Sequence, residues 1–187
     1  MSRHPASPPS TLGRAAFVET FADIYEHSPW VAQQAYDLGP GPELDNIDSL
    51  HARMSQVVLG ATPEQQMTLI QAHPDLAGKA AVRGELTQAS SDEQAGAGIH
   101  LCTPEEFQRF TDLNHAYQAR FGFPFIMAVK GSDRHQILAA FEARIHHSPQ
   151  AELACALAEI NKIALFRLQA LHSPPLTHLL SEGTSEE

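Results

Sequence analysis

The chain has 187 residues, 43% of them apolar, enough to bury one hydrophobic core and consistent with a single domain. Its 22 acidic and 12 basic residues give a net charge of −10 with histidine neutral, which repels polyanions and argues against a general role on nucleic acid or an anionic membrane. The two cysteines, Cys102 and Cys155, form no C-x-x-C pattern and are too few for a disulfide-stapled scaffold, so reduced cysteines in a cytoplasmic protein are expected.

No apolar run approaches the roughly 20 residues of a membrane span, and the opening MSRHPASPPS lacks the apolar block of a secretory signal. No membrane partner is expected. Residues 1–13 and 173–187, rich in Pro, Ser and Glu, are expected to be flexible tails around a helical domain over 14–172.

From Arg14, the spacing of Phe17, Phe21, Ile24 and Tyr25 predicts a helix closed by Ser28-Pro29. A shorter helix restarts at Pro29 and carries Trp30 and Tyr36 to the Gly-Pro-Gly-Pro turn at 39–42. Asp48 is the expected cap of a helix through Leu50, Met54, Val57 and Val58, with Gly60 as its stop. Thr62-Pro63-Glu64-Gln65 and Thr103-Pro104-Glu105-Glu106 each combine a cap, a proline at the first helical position and a reciprocal Gln or Glu. Asp133 caps a helix through Ile137, Leu138, Phe141 and Ile145. The last long segment, about 150–171, sets Leu153, Leu157, Ile160, Ala164 and Leu171 on a core-facing stripe that includes Arg167. The strand-like stretch 123–129 is too short and isolated to make a sheet. The expected fold is therefore all-α, a single-domain multi-helix bundle with one short extended segment near 123–129.

Polar residues in positions that packing would give to apolar ones mark candidate sites. At His73-Pro74-Asp75-Leu76, Pro74 pushes His73 out of the α region at a helix C-terminus, where the helix dipole favours the imidazolium. A plain C-terminal cap and a proton-exchanging histidine are both compatible with that placement. Ser90-Ser91-Asp92-Glu93-Gln94 fits a capping box before a small-residue helix at 95–98; the poor helix formers Gly96 and Gly98 also suit close approach of a backbone or ligand. Arg167, on the apolar stripe, needs a carboxylate, an anionic ligand or an escape to solvent. The aromatic stretch Phe121-Gly122-Phe123-Pro124-Phe125-Ile126 can be plain core or a rigid wall for a flat ligand.

Common catalytic and metal signatures are absent. His146-His147 lacks helical i, i+4 metal geometry, and there is no H-E-x-x-H, G-x-S-x-G, phosphate loop or G-x-G-x-x-G.

His73-Pro74-Asp75-Leu76-Ala77-Gly78-Lys79, Ser90-x-x-Glu93-Gln94, Leu113-Asn114-x-x-Tyr117 and Phe121-Gly122-Phe123-Pro124-Phe125-Ile126 occur in the order and spacing of one family. Together they resemble 2-oxo-4-hydroxy-4-carboxy-5-ureidoimidazoline (OHCU) decarboxylases over about residues 14–172. The resemblance implies an all-helical enzyme, a carboxy-lyase often assembled as a homodimer, that needs no metal or organic cofactor and converts its small-molecule ureidoimidazoline substrate to (S)-allantoin in urate degradation. It also implies that His73 and Glu93 are catalytic and that Arg167, Pro74, Ser90 and Ile126 bind or line the substrate. On that basis Glu93 is expected to fix the His73 imidazole or the ureido group. The rival reading is a non-catalytic helical module capturing an anionic metabolite through Arg167; a second is a ring-opening hydrolase, which would release no CO2.

Overall fold

The computed structural model describes residues 7–77 and 86–172. Gly78 and Lys79 of the His73 motif and the expected C-terminal tail lie outside the described residues. Of the expected N-terminal tail, Pro9–Thr11 form a 3-10 turn, and Ser10 donates from N and Oγ to Asp45 at 2.8 and 2.7 Å, so this stretch is anchored to the domain.

The described residues contain eight α-helices and no strand, in agreement with the all-α expectation. They are α1 (Arg14–Phe21), α2 (Trp30–Asp37), α3 (Ile47–Leu59), α4 (Pro63–Gln71), α5 (Gln88–Gly96), α6 (Pro104–Phe121), α7 (Arg134–Arg144) and α8 (Pro149–His172). The capping rules account for most of the starts. Thr62, Thr103 and Asp133 each accept from the N3 amide, while Gln65, Glu106 and Gln136 reach back to the cap amide.

Two starts differ from the sequence reading. The cap of α3 is Asn46, whose Oδ1 accepts from the Ser49 amide at 3.0 Å; Asp48 sits inside the first turn, where a carboxylate favours the positive end of the dipole. The cap of α5 is Thr87, accepting from the Ser90 amide at 3.3 Å, so Ser90 and Glu93 are interior helix residues and make no capping box. The small residues expected to form a helix instead end one: α5 stops at Gly96, and Gly98 takes the left-handed conformation at φ 72°.

Helix α8 spans 24 residues, about 36 Å at 1.5 Å per residue, and is the spine of the fold. It packs along α3 and across α4, while α1, α2 and α3 pack consecutively and α7 lies on α6. Its buried stripe includes Leu157, Ile160, Ala164 and Leu168, but also the polar residues Glu152, Asn161 and Arg167. A stripe with three polar members satisfies each through another element, and those partners define the interior of the molecule. Asn161 is held by the Tyr25 hydroxyl, donating at 2.8 Å to Oδ1.

Beyond Gly122, left-handed at φ 79°, the chain runs from Phe123 to Val129 without helix or strand, which matches the expected extended segment. It is nevertheless interior. Phe125 stacks on Phe141 with centroids 3.7 Å apart and meets Tyr117 edge-on at 5.3 Å. Fully burying such a side chain contributes roughly 2–3 kcal/mol, compensating a segment that has no ladder or helix of its own.

Candidate active site

A narrow cleft between the end of α4, helix α5, the 125–129 segment and α8 is lined by His73, Pro74, Ser90, Glu93, Ile126 and Arg167 among others. All six residues expected at the site therefore converge, although they come from four separate stretches of chain. A wider groove runs along the outer face of α6 past Pro104, Arg109, Asp112 and Ala116. Its Arg109 is exposed and already paired with Glu142 at 2.8 Å, so the His73 cleft holds the buried chemistry.

His73 follows α4 in a turn, its amide donating to the Ile70 carbonyl at 3.2 Å. The residue is 8% exposed, and Nδ1 lies 2.9 Å from the Leu69 carbonyl. A carbonyl can only accept, so Nδ1 carries the hydrogen and Nε2 of the neutral ring is left bare. His73 thus does cap the helix and also lines the cleft. From sequence alone the charge of His73 is open, and here burial opposes the dipole. Burial pushes the pKa down to about 4, and the Leu69 carbonyl and the Glu26 charge, which favour the cation, do not compensate. Dipole attraction amounts to about 1 kcal/mol at a helix end, less than desolvation imposes on a buried cation. At neutral pH this residue is a proton acceptor.

The following loop is pinned so that the ring stays in place. Asn114 donates to the Leu76 carbonyl at 2.9 Å, Gln118 to the Asp75 carboxylate at 2.7 Å, and the Ala77 amide to Gln94 at 3.1 Å. Ala77 adopts φ 52°, a left-handed conformation that a non-glycine residue keeps only when its surroundings hold it.

Arg167 resolves its own burial with two carboxylates. Its Nε and Nη2 donate to Glu93 Oε1 and Oε2 at 2.8 and 3.0 Å, a bidentate fork, and Nη1 lies 3.0 Å from Glu26 Oε2. Burial opposes its charge, but the Glu93 and Glu26 carboxylates outweigh that and raise its pKa. Of the two roles expected of Glu93, holding the His73 imidazole or holding the ureido group, the first has no hydrogen bond behind it among the described residues; Glu93 braces the guanidinium. With its side chain 27% exposed, against 2% for Glu26, it is the carboxylate on the open side.

Glu26 is the member that the sequence reading missed. It lies between α1 and α2, next to His27 at φ 46°, and accepts from Thr87 at 2.8 Å and Ser90 at 3.1 Å as well as from Arg167. Burial works against its ionisation, but the Arg167 charge and the hydrogen bonds from Thr87 and Arg167 hold it below the ordinary carboxylate range. The available signal was a carboxylate directly after the core residues Ile24 and Tyr25, where the helical period breaks.

Among the described residues, no group of three or more His, Cys, Asp or Glu is placed to hold a metal ion, and no helix is long and apolar enough to cross a membrane. Cys102 and Cys155 are free thiols. What the cleft offers is an imidazole, one guanidinium and the Glu93 carboxylate around a small partly apolar space, with the Glu26 carboxylate buried behind Arg167. Fold and site together define a helical domain built around a buried acid–base cleft for a small molecule.

The chain belongs to the OHCU decarboxylase family, whose pattern matches residues 10–169. It is 42% identical over 153 residues to the 2-oxo-4-hydroxy-4-carboxy-5-ureidoimidazoline decarboxylase of Haloferax volcanii, covering 82% of this chain and 87% of that one. It is 40% identical over 171 residues to the enzyme of the same name from Halalkalicoccus jeotgali, covering 91% and 90%. Among solved structures it resembles an (S)-allantoin synthase, with TM-score 0.69 and 31% identity over 87% of this chain; it spans about half of that longer chain, 52%.

Proposed function

We propose that this protein decarboxylates 2-oxo-4-hydroxy-4-carboxy-5-ureidoimidazoline to (S)-allantoin in urate degradation, with His73 as the proton-transfer residue. The observation that carries the role is the His73 ring, held by Leu69 so that its bare Nε2 is the basic edge available to the cleft.

The substrate carries its carboxylate beside an imine carbon, so the electron pair released with CO2 passes into the ring and no external electron sink is required. Nε2 accepts the C4 hydroxyl proton as the carbon–carboxylate bond breaks. The C4 carbonyl forms, the former imine nitrogen takes a proton from solvent, and the proton held on His73 returns to the neighbouring ring carbon on one face, which gives a single hand of product. The protein's contribution is orientation and one directed proton.

Arg167 engages the anionic or carbonyl edge of the substrate, with Glu93 as the exchangeable partner on the open side and Glu26 as the fixed counter-ion. Pro74, Ser90 and Ile126 shape the walls. The same reading makes the partner a small molecule and not nucleic acid, in keeping with the net charge of −10, and places the protein in the cytoplasm as a homodimer.

The decisive experiment generates the substrate in situ from urate and follows CO2 release and optical activity with and without the protein. Accelerated decay with an excess of (S)-allantoin is expected. Racemic product at the spontaneous rate would sink the assignment, and binding without turnover would favour a capture module.

A further inference from the structure

The segment carrying Ile126 has neither helix nor strand to fix its peptide planes, yet it forms a wall of the cleft. Behind it, outside the cleft, lies a second buried charged cluster. Arg144, the last residue of α7, donates from Nη1 to the Ile126 carbonyl at 2.7 Å, and its guanidinium covers the Phe125 ring at 4.3 Å. The opposite edge of the same fork is held by Glu152 of α8, at 2.9 Å from Nη2 and 3.2 Å from Nε. Glu152 is itself fixed by the Tyr117 hydroxyl of α6 and by the half-exposed His147 at 2.7 Å. The cluster thus joins three helices to a single carbonyl of the cleft wall.

In a trans peptide the carbonyl and the following N–H point in opposite directions, and no cis peptide is present among the described residues. Drawing the Ile126 carbonyl toward Arg144 therefore turns the Met127 N–H the other way, and that N–H has no hydrogen-bond partner among the described residues. The next amide, Ala128, is already committed to Glu159 at 2.8 Å.

We propose that Arg144 is a positioning residue for the reaction: through the Glu152–Tyr117 support it fixes the Ile126–Met127 peptide so that the Met127 N–H is presented to the bound substrate, and so sets the face on which the proton is added. This rests on the decarboxylase reading above. A guanidinium is suited to the task because its planar fork can hold a carboxylate on one edge and a carbonyl on the other, which a lysine ammonium cannot do in the same geometry.

The test compares Arg144→Lys and Tyr117→Phe with the wild-type protein, measuring KM, kcat, the enantiomeric excess of allantoin and the thermal midpoint. Arg144→Lys is expected to raise KM about tenfold and lower the enantiomeric excess, the scale of one misaimed hydrogen bond. Tyr117→Phe, which loosens only the support, should move both in the same direction by about twofold to threefold. A merely structural role would reduce the yield of folded protein but leave the KM and enantiomeric excess of the folded fraction unchanged. Arg144→Ala should recover enantiomeric excess on addition of guanidinium ion. Should the Arg144 variants fail to fold, Tyr117→Phe decides alone. Wild-type KM and enantiomeric excess in every variant that folds would overturn the proposal. A wild-type protein that neither accelerates decay nor yields an enantiomeric excess would instead overturn the decarboxylase reading.

Discussion

Glu26 and Arg167, from opposite ends of the chain, meet at 3.0 Å with side chains only 2% and 9% exposed. The pair closes the interior behind the cleft, and it sets a stability cost on any change there. Removing one partner of a buried ion pair leaves the other charge desolvated without compensation, at about 3–5 kcal/mol. Arg167→Met should therefore lower the unfolding free energy by about that amount and abolish turnover, as measured by urea titration and by allantoin formation. Glu26→Gln keeps one acceptor oxygen, for Thr87 or Ser90 but not both, and leaves Arg167 its Glu93 partner, so it should cost less. An Arg167→Met protein as stable as wild type would show that the pair makes no net contribution.

His73→Asn separates fold from chemistry. The asparagine amide can still donate to the Leu69 carbonyl as Nδ1 does, so the helix end keeps its cap while the basic nitrogen is lost. Thermal stability should change little, and kcat should fall by about 10²–10⁴. Near wild-type rates of (S)-allantoin formation would remove His73 from the mechanism.

The pH dependence follows from the depressed pKa of His73, about 4 against an ordinary 6.5. Between these values the unfolded chain binds the proton and the folded protein does not, so stability rises with pH through this window, is full above about 6.5 and is lost as pH falls toward 4. Glu26 and Glu152, both held below the ordinary 4.5, lose their contributions only at lower pH. The wild-type stability curve minus that of His73→Asn should isolate the histidine between pH 6.5 and 4.5. A flat difference would mean that the ring titrates normally.

Thr87 and Thr103 cap different helices, but only Thr87 also reaches the site, donating to Glu26 at 2.8 Å. Thr103→Ala should cost about 1 kcal/mol of stability with kcat/KM unchanged. Thr87→Ala should cost a similar amount or more and also reduce kcat/KM several-fold. Equal kinetic effects of the two substitutions would rule out the coupling through Glu26.

The contrast between these two threonines also shows what the sequence could reveal. Thr62, Thr103 and Asp133 were legible because a cap and its N3 partner are three residues apart and interact within one turn. Ser90 and Glu93 carry the same spacing, yet Thr87 takes the cap, since Thr87-x-x-Ser90 competes for the same helix start one turn earlier. The outcome depended on Glu26, which engages both Thr87 and Ser90 from a distant connection. Pro74 made the placement of His73 at a helix end legible but left its charge open, because the dipole is a local quantity and burial a global one. Arg167 announced itself as a cation in an apolar stripe, whereas Glu26, in an irregular connection, had no periodic pattern to violate.

Helix α8 supplies Glu152, Asn161 and Arg167 to three different buried partners, and it follows every other described element in the chain. During synthesis the earlier helices emerge first, each with a polar group whose counterpart has not yet been made. Glu26 stays hydrated, the Tyr25 hydroxyl lacks Asn161, and Arg144 lacks Glu152 until α8 arrives. The nascent protein therefore satisfies these buried groups and completes the His73 cleft only in a late event, once α8 has been made.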